Sequence, residues 1–280
     1  MSQVTQTAGS GRSVPPRAIL GKTRGRSHGP VTRLMSPSDL GQVLKPFVFL
    51  DLVETETANL PKFPKHPHSG IATVSVVTKG NMRFHDPSSG EVVIAYGGLE
   101  WMRAGGGIWH GDEARAGDSP SVQAFQLWIA LPPELENGPS LSQFIAAAYT
   151  PTVGPARVMV GEYGGAKSPA QAPEGITYLL VTLAPSETWV FQPPTGQSIA
   201  FVSVAQGDLK AAENIGSGEL AAFEPGEAPI TMQAGSSGAV FVLGSAIAHP
   251  HDLVLGHYSV HTSVAALKAG EARIEALRPR

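Results

Sequence analysis

The sequence predicts an all-β fold, arranged as two copies of one β-domain. Glycine and proline are frequent, at 32 and 24 of 280 residues, and they separate short apolar runs. Short strands at regular spacing with turn signals between them are typical of a sandwich or a barrel. Similar segments recur in the second half of the chain, which indicates an internal duplication.

Composition limits the classes of function that the chain can have. The hydrophobic fraction is 42% and the charged fraction 15%, as in folded globular proteins. The formal net charge of −3 gives no electrostatic reason to expect direct nucleic-acid binding. No window approaches the roughly 20 apolar residues of a membrane span, and the first residues lack the apolar core of a signal peptide.

The absence of cysteine restricts metal chemistry and agrees with a reducing compartment. The chain contains no cysteine, so a metal must be held by histidine, carboxylate, backbone or water. We therefore expect a cytoplasmic protein.

The first half is predicted to hold an arm and then a β-domain. Residues 1–28 are polar, basic and rich in Gly and Ser, and are predicted to be a flexible N-terminal arm. An N-terminal domain is predicted for residues 29–150. Its predicted strands lie in "GPVTRLM", "FVFLDLVE", "IATVSVVTKG", "NMRFHD", "EVVIAYGG", "LEWMRAG" and "VQAFQLWIALP". The third and fourth of these are expected to form a hairpin around Lys79 and Gly80.

The second half, residues 151–280, repeats this organisation and ends in a helix. Strands are predicted in "ITYLLVTLAP", "ETWVFQPP", "QSIAFVSVAQGDLKA", "GELAAFEPGE" and "GAVFVLGS". The third contains a second hairpin, with Gly207 in the place of Gly80. Only "TSVAALKAGEARIEAL" has helical periodicity, with Thr262 or Ser263 as its N-cap and Gly270 as a weakness.

Histidines in two segments point to a metal site. In "FPKHPHSGIATV", His66 and His68 are two residues apart, so on a strand they share one face. Such a pair alone is weak evidence. In "LEWMRAGGGIWHGDEA", His110 is followed by Asp112, which shares its face, and by Glu113, which does not. Two histidines from one strand, a third from another and a carboxylate make a mononuclear site, suited to Fe(II) and also to Mn, Ni, Cu or Zn.

These segments resemble a known family. "HPHSGIATVSVVTKGNMRFHDPSSG", "WMRAGGGIWHGDE", "FQLWIALPPE", "GEYGGAK" and "GHYSVHTS" are similar to segments of the pirin family of bicupins. The resemblance runs from about residue 29 to the C-terminus. It implies two stacked cupin (jelly-roll-like) β-barrels with a short C-terminal helix, and one metal, usually iron, in the N-terminal barrel. The second barrel is expected to hold no metal.

The resemblance also implies a ligand set, and the sequence departs from the family pattern near it. The family's ligands carry over to His66, His68 and His110, and the family's glutamate falls at Asp112. Aspartate reaches roughly 1.5 Å less far. It can ligate directly, ligate through water or leave a position open, and Glu113 replaces it only on irregular backbone. Ser69 stands where an arginine is common, and Ala72 where a glutamate is frequent.

Three functions follow from the resemblance and remain alternatives at this point. The first is an Fe-dependent dioxygenase of the quercetinase kind, acting on a small aromatic, flavonol-like or enol substrate, with Asp112 as fourth ligand or base. The second is a non-enzymatic, metal-dependent regulator that binds a protein partner. The third is a metal-free cupin scaffold. The chain is expected to be a monomer or a weak dimer.

A second His-Pro-His, at His249 and His251, resembles the first but is interpreted differently. It follows the last predicted barrel strand, in a connecting segment. The matching hairpin region "FVSVAQGDLKA" carries no histidine. We therefore predict no second metal site there.

Overall fold

The chain folds almost entirely into β-strands, with one α-helix near its C-terminus. This computed structural model describes residues 16–62, 64–86, 90–111 and 115–279. The prediction of an all-β fold with a short C-terminal helix is confirmed. No helix within the described part of the chain has the length and hydrophobicity needed to cross a bilayer.

The strands are numbered in chain order. Those of the first half are β1 (Ile19–Thr23), β2 (Arg26–His28), β3 (Val31–Met35), β4 (Phe47–Glu56), β5 (His66–His68), β6 (Ile71–Lys79), β7 (Asn81–Asp86), β8 (Gly90–Ala95), β9 (Leu99–Arg103), β10 (Ile108–His110), β11 (Arg115–Ala116), β12 (Ser121–Ala130) and β13 (Leu141–Ile145). Those of the second half, with the helix, are β14 (Thr152–Val153), β15 (Ala156–Tyr163), β16 (Ala166–Lys167), β17 (Ile176–Leu183), β18 (Thr188–Phe191), β19 (Ile199–Lys210), β20 (Asn214–Gly216), β21 (Leu220–Phe223), β22 (Ile230–Ala246), β23 (Val254–Leu255), β24 (Val260–His261) and α1 (Val264–Ala276).

The first barrel consists of one large sheet and two small ones. The large sheet has the order β13-β9-β6-β12-β4-β3-β2, and the small sheets are β11-β7-β8 and β10-β5. Buried apolar side chains of β7 and β8, among them Met82, Phe84 and Ile94, pack against Val77 and Val122 of the large sheet. The pair β10-β5 carries the histidines, so the candidate site belongs to this barrel.

The predicted hairpin around Lys79 and Gly80 is wrong. Strand β6 pairs with β9 and β12, whereas β7 pairs with β8 and β11. Gly80 has a φ of +71° and lies where a Cβ would be 2.1 Å from the Ser121 carbonyl oxygen. The glycine therefore makes a corner at which the chain leaves one sheet for the other, a geometry that hairpin patterns do not distinguish.

The second barrel is organised around the long strand β22. Strand β18 pairs with the first residues of β22, while β17 and β19 flank its later residues. The hairpin predicted at Gly207 is also wrong, because β19 continues through it as one strand with irregular pairing on either side. Gly207 has a φ of +74°, so it acts as a bulge within the strand.

Part of the predicted flexible arm forms a strand. Of residues 1–28, the structure describes 16–28, and β1 within them pairs antiparallel with β21 of the second barrel. Buried Arg17 donates to the carbonyls of Ser198 and Glu224, and Arg24 lies 3.2 Å from Glu219. The basic composition of this segment suggested that its side chains are solvated. Instead, Arg17 and Arg24 contact acceptor groups of the second barrel.

The two barrels share one hydrophobic core. A cluster of buried side chains runs from the large sheet of the first barrel into the sheet of the second. It includes Trp101 and Phe47 from the first barrel and Tyr178 and Phe201 from the second. The rings of Phe47 and Phe201 meet edge to face at 5.2 Å. The barrels are therefore joined by core packing as well as by the chain.

The end of the chain returns to the first barrel. Helix α1 is capped by Ser263, whose Oγ accepts from the backbone N–H of Ala266 at 3.1 Å. The Nε1–H of Trp109, on β10, donates to the carbonyl of Ile274 near the helix end at 2.8 Å. The helix thus docks on a histidine-bearing strand.

Candidate metal centre

Three histidines meet on the two-stranded sheet of the first barrel. Strands β5 and β10 run antiparallel, with His66 opposite His110 and His68 opposite Ile108. His66 and His68 are two residues apart, so both rings project from the same face as expected. Their ring centroids lie 4.8 Å apart, and His110 lies 4.4 Å from His66 and 4.9 Å from His68.

Backbone acceptors fix the orientation of two of the rings. Nδ1 of His66 lies 2.8 Å from the carbonyl of Pro64, and Nδ1 of His68 lies 2.9 Å from the carbonyl of Tyr258. A carbonyl oxygen only accepts, so Nδ1 carries the proton in both rings. The lone pair is then on Nε2. A hydrogen bond of this kind to the second ring nitrogen is usual for histidines that ligate metals.

Two ring nitrogens of this histidine group are buried without a protein partner. Among the residues that the structure describes, Nε2 of His68 and Nε2 of His110 are both in this state. A buried polar atom without a partner is costly, so it requires an explanation. The explanation is that both nitrogens lie close to the third histidine, so that one metal ion would be the missing partner of both.

The electrostatics of the site keep these rings neutral. Burial lowers the pKa of His68 to about 3, with repulsion from His66 adding to this and the hydrogen bond to Tyr258 opposing it. Burial lowers the pKa of His110 to about 2, helped by repulsion from His68 and His66. At neutral pH both rings are therefore neutral imidazoles, each with a lone pair on one nitrogen, which is the form that binds a metal.

The histidines fit a mononuclear metal after a small adjustment. Their candidate ligand atoms lie within 4.8 Å of one another. Nitrogens at about 2.1 Å from one ion are roughly 3.0–3.4 Å apart in tetrahedral or octahedral geometry. Side-chain rotations that move each nitrogen by about 1 Å toward the others close that difference, so the three-histidine group can bind a metal.

The predicted fourth ligand lies outside the described residues. Asp112 and Glu113 fall in the gap between residues 111 and 115. The role of Asp112 as ligand or base therefore stays a prediction. Ala72 is described and is fully buried in the core between the barrels. A longer carboxylate side chain at that position would enter apolar packing.

A small cavity adjoins the histidines inside the first barrel. Its volume is about 80 Å³. Its apolar lining comes from Val53, Met82, Phe84, Ala124 and Phe125. Its polar lining comes from His66, Ser75, Glu100, His110, Gly111 and Gln126. A largely apolar pocket with a few convergent polar groups is typical of ligand sites.

The sequence analysis did not identify Glu100 as a site residue. Glu100 lies on β9 opposite Ser75 of β6, and Ser75 Oγ donates to its carboxylate at 3.0 Å. The signal that could have identified it is the alternation of side chains between the two faces of β9. Its neighbour Trp101 is fully buried in the core between the barrels, so Glu100 must face the barrel interior. Interpreting that signal required knowing that both faces of β9 are covered.

Comparisons with known proteins agree with this architecture. A model of the pirin family matches residues 29–129. A pirin-like protein of Caulobacter vibrioides is 32% identical over 213 residues, which cover 72% of this chain and 77% of the relative. A protein of Pseudomonas aeruginosa, provisionally named quercetin 2,3-dioxygenase, is 30% identical over 204 residues, which cover 66% and 69% of the two chains.

Solved structures share the fold. A quercetin 2,3-dioxygenase from Acinetobacter baumannii superposes with a TM-score of 0.80 at 24% identity, covering 92% of this chain and 96% of its own. A bacterial pirin from Escherichia coli in complex with nickel(II) superposes with a TM-score of 0.61 at 17% identity, covering 83% and 96%.

Proposed function

The chain belongs to the pirin family, and from that premise we propose that it is a metal-dependent dioxygenase acting on an aromatic or enol substrate. One observation carries the proposal. Three histidines converge beside a small cavity, and the buried Nε2 atoms of two of them, His68 and His110, have no protein partner. The names of the Pseudomonas and Acinetobacter proteins support the reaction class.

The proposed metal is Fe(II), with Mn, Ni, Cu and Zn as alternatives. All three described ligands are imidazoles, which suit each of these ions. His66, His68 and His110 would hold the ion, and Asp112 would complete the set. When bound, the ion would act as a Lewis acid that binds and activates the substrate enolate or dioxygen.

Residues of the chain would supply the remaining steps. Glu100 lines the cavity with His66 and His110, and we assign it the acceptance of the substrate hydroxyl proton. The apolar wall formed by Val53, Met82 and Phe84 would exclude water from the reacting centre. Dioxygenation places both atoms of O2 in the product, so it needs no added reductant.

The size of the cavity bears on the substrate. Pockets for drug-sized ligands usually have volumes of about 300–1,000 Å³. At about 80 Å³, this space accommodates one ring or a compact enol. A flavonol would place only its reacting ring there, with the rest outside. We therefore expect compact enols and single-ring catechols to be better substrates than quercetin.

Metal content tests the first part of the proposal. Protein purified without an affinity tag or added metal is analysed by inductively coupled plasma mass spectrometry. We expect near-stoichiometric metal in the wild type and loss in His66→Ala. His85→Ala, which removes an exposed histidine of the same barrel, should retain it. Retention in Asp112→Ala would remove Asp112 from the ligand set.

Oxygen uptake tests the second part. The metal-loaded protein is screened with quercetin, a single-ring catechol and a compact enol, with His66→Ala as the inactive control. Uptake that depends on His66 supports the dioxygenase. Wild-type protein that stays metal-free after anaerobic Fe(II) addition contradicts it and leaves the scaffold alternative.

A further inference from the structure

The C-terminal segment, residues 257–277, contacts both strands that carry the histidines. The carbonyl of Tyr258 accepts the Nδ1 proton of His68 at 2.9 Å. The carbonyl of Ile274 accepts from Trp109, which immediately precedes His110, at 2.8 Å. The three candidate ligands come from the first barrel, yet the carbonyl that orients His68 and the carbonyl that holds the neighbour of His110 both follow the second barrel in the chain.

A buried polar cluster holds this segment against β5. We call it the Ser69 cluster, and it comprises Ser69, Glu136, Ser259, His261 and Thr262. Ser69 Oγ donates to Ser259 Oγ at 2.9 Å and lies 2.9 Å from Nε2 of His261. Nδ1 of His261 lies 3.2 Å from Oε2 of Glu136. Thr262 donates to Glu136 from its backbone N–H and its hydroxyl, both at 2.7 Å.

The hydrogen-bond directions in the cluster are determined. The single hydroxyl proton of Ser69 goes to Ser259, so Ser69 Oγ must accept the Nε2 proton of His261. Both donors of Thr262 point at Glu136, as expected for a carboxylate acceptor. The donors and acceptors of Ser69, Thr262 and Nε2 of His261 are therefore assigned. Ser69, Ser259, His261 and Glu136 are each at most 3% exposed, so the hydrogen bonds of the cluster are shielded from water, while Nδ1 of His261 faces Glu136 without a hydrogen bond.

A serine next to a histidine that is next to a glutamate also occurs in hydrolytic triads. The burial of Ser69 excludes that role here. Ser69 is completely buried, so no substrate reaches its Oγ. Its proton is donated to Ser259 rather than to the histidine, so His261 is not placed as a base for it. The cluster is a structural device next to the metal-binding strand.

Close backbone packing locks the same contact. A Cβ at Gly70 would lie 2.0 Å from the carbonyl oxygen of Val260. A Cβ at Gly270 would lie 2.5 Å from Ser69 Oγ and 2.7 Å from Nε2 of His261. The backbone N–H of Val260 also donates to the carbonyl of Ser69 at 3.3 Å. Neither β5 nor the C-terminal segment can shift independently of the other.

We propose that the Ser69 cluster positions His68 for metal binding, so that the C-terminal segment completes the metal site of the first barrel. Ser69 follows His68 in the chain. The cluster therefore fixes the distance between β5 and the segment whose Tyr258 carbonyl accepts from His68. His261 and Ser69 are thus positioning residues. The inference rests on the proposed metal-binding function and adds residues that the ligand set does not include.

Cobalt binding tests the inference. Co(II) affinity is measured by competition titration, and the visible absorption spectrum of the Co(II) protein reports ligand geometry. His261→Ala and Ser69→Ala are expected to weaken Co(II) binding by about 10- to 100-fold, as for other residues that orient metal ligands, and to shift the spectrum. His261→Gln retains an N–H donor for Ser69 and should restore much of both.

The matched control is His251→Ala, which removes another histidine of the C-terminal region that is not part of the cluster. Its Co(II) affinity and spectrum should match the wild type. If His261→Ala fails to fold, the smaller change Ser69→Ala decides. Wild-type Co(II) affinity and an unchanged spectrum in the folded variants would overturn this inference but not the metal-binding function. Failure of the wild type to bind Co(II) would overturn the metal-binding function as well.

Discussion

At the scale of single residues, the candidate site depends on which face of a strand each side chain occupies. Glu100 and Trp101 are neighbours on β9, yet one lines the cavity beside the histidines and the other lies in the core between the barrels. His66 and His68 share a face because they are two residues apart. The chemistry of the pocket follows from this alternation.

The role of Glu100 gives a prediction at this scale. Glu100→Gln keeps the size of the side chain and the acceptor for Ser75 but removes the base. We expect the variant to retain its metal and to lose about 10²–10⁴-fold in kcat, the usual contribution of a positioned base. Turnover of the substrate found by oxygen uptake, measured with metal content, checks this.

Ser75→Ala is the matched control. It removes only the hydroxyl that donates to Glu100, so a smaller loss of kcat is expected. A wild-type rate in Glu100→Gln would show that the proton goes elsewhere, with Asp112 as the next candidate.

At the scale of elements, helix α1 is shaped by what it packs against. Glycine within a helix usually costs about 1 kcal/mol relative to alanine. Gly270 is buried, and a Cβ there would enter the Ser69 cluster. The glycine that weakened the helix prediction is therefore needed for the docking of the helix.

Gly270→Ala should accordingly destabilise the protein, against its helix propensity. We expect a loss of about 1–3 kcal/mol in the free energy of unfolding, the usual cost of overpacking. Chemical denaturation measures it. Lys268→Ala, an exposed change on the same helix, should stay within about 0.5 kcal/mol of the wild type. A more stable Gly270→Ala would mean that the helix does not dock as described.

At the scale of the whole molecule, the two barrels share a core and each lends a segment to the other. The cluster around Trp101, Tyr178 and Phe201 spans both barrels. Strand β1 precedes the first barrel but joins the sheet of the second, and helix α1 follows the second but docks on the first. Unfolding one barrel therefore exposes apolar surface of the other.

This arrangement predicts cooperative unfolding across the chain. Phe201→Ala, in the second barrel, should cost about 3–5 kcal/mol and lower the transition midpoint of the first barrel as well. The test uses a Trp189→Phe background, in which the remaining tryptophans, Trp101, Trp109 and Trp128, all lie on strands of the first barrel. Their fluorescence is followed through thermal unfolding with and without Phe201→Ala. An unchanged midpoint would show that the barrels unfold independently.

By itself, the sequence determined the fold class, the helix near the C-terminus and the three histidines able to bind a metal. These depend on local periodicity and side-chain chemistry. The pairing of β6 and β7, the place of β1, the cavity position of Glu100 and the Ser69 cluster were decided only by the tertiary structure. Each of these joins segments distant in the chain, such as Ser69 and His261, and no local pattern specifies a partner nearly 200 residues away. The physical reason is that burial between layers, rather than propensity within a strand, selects which faces and which polar groups meet.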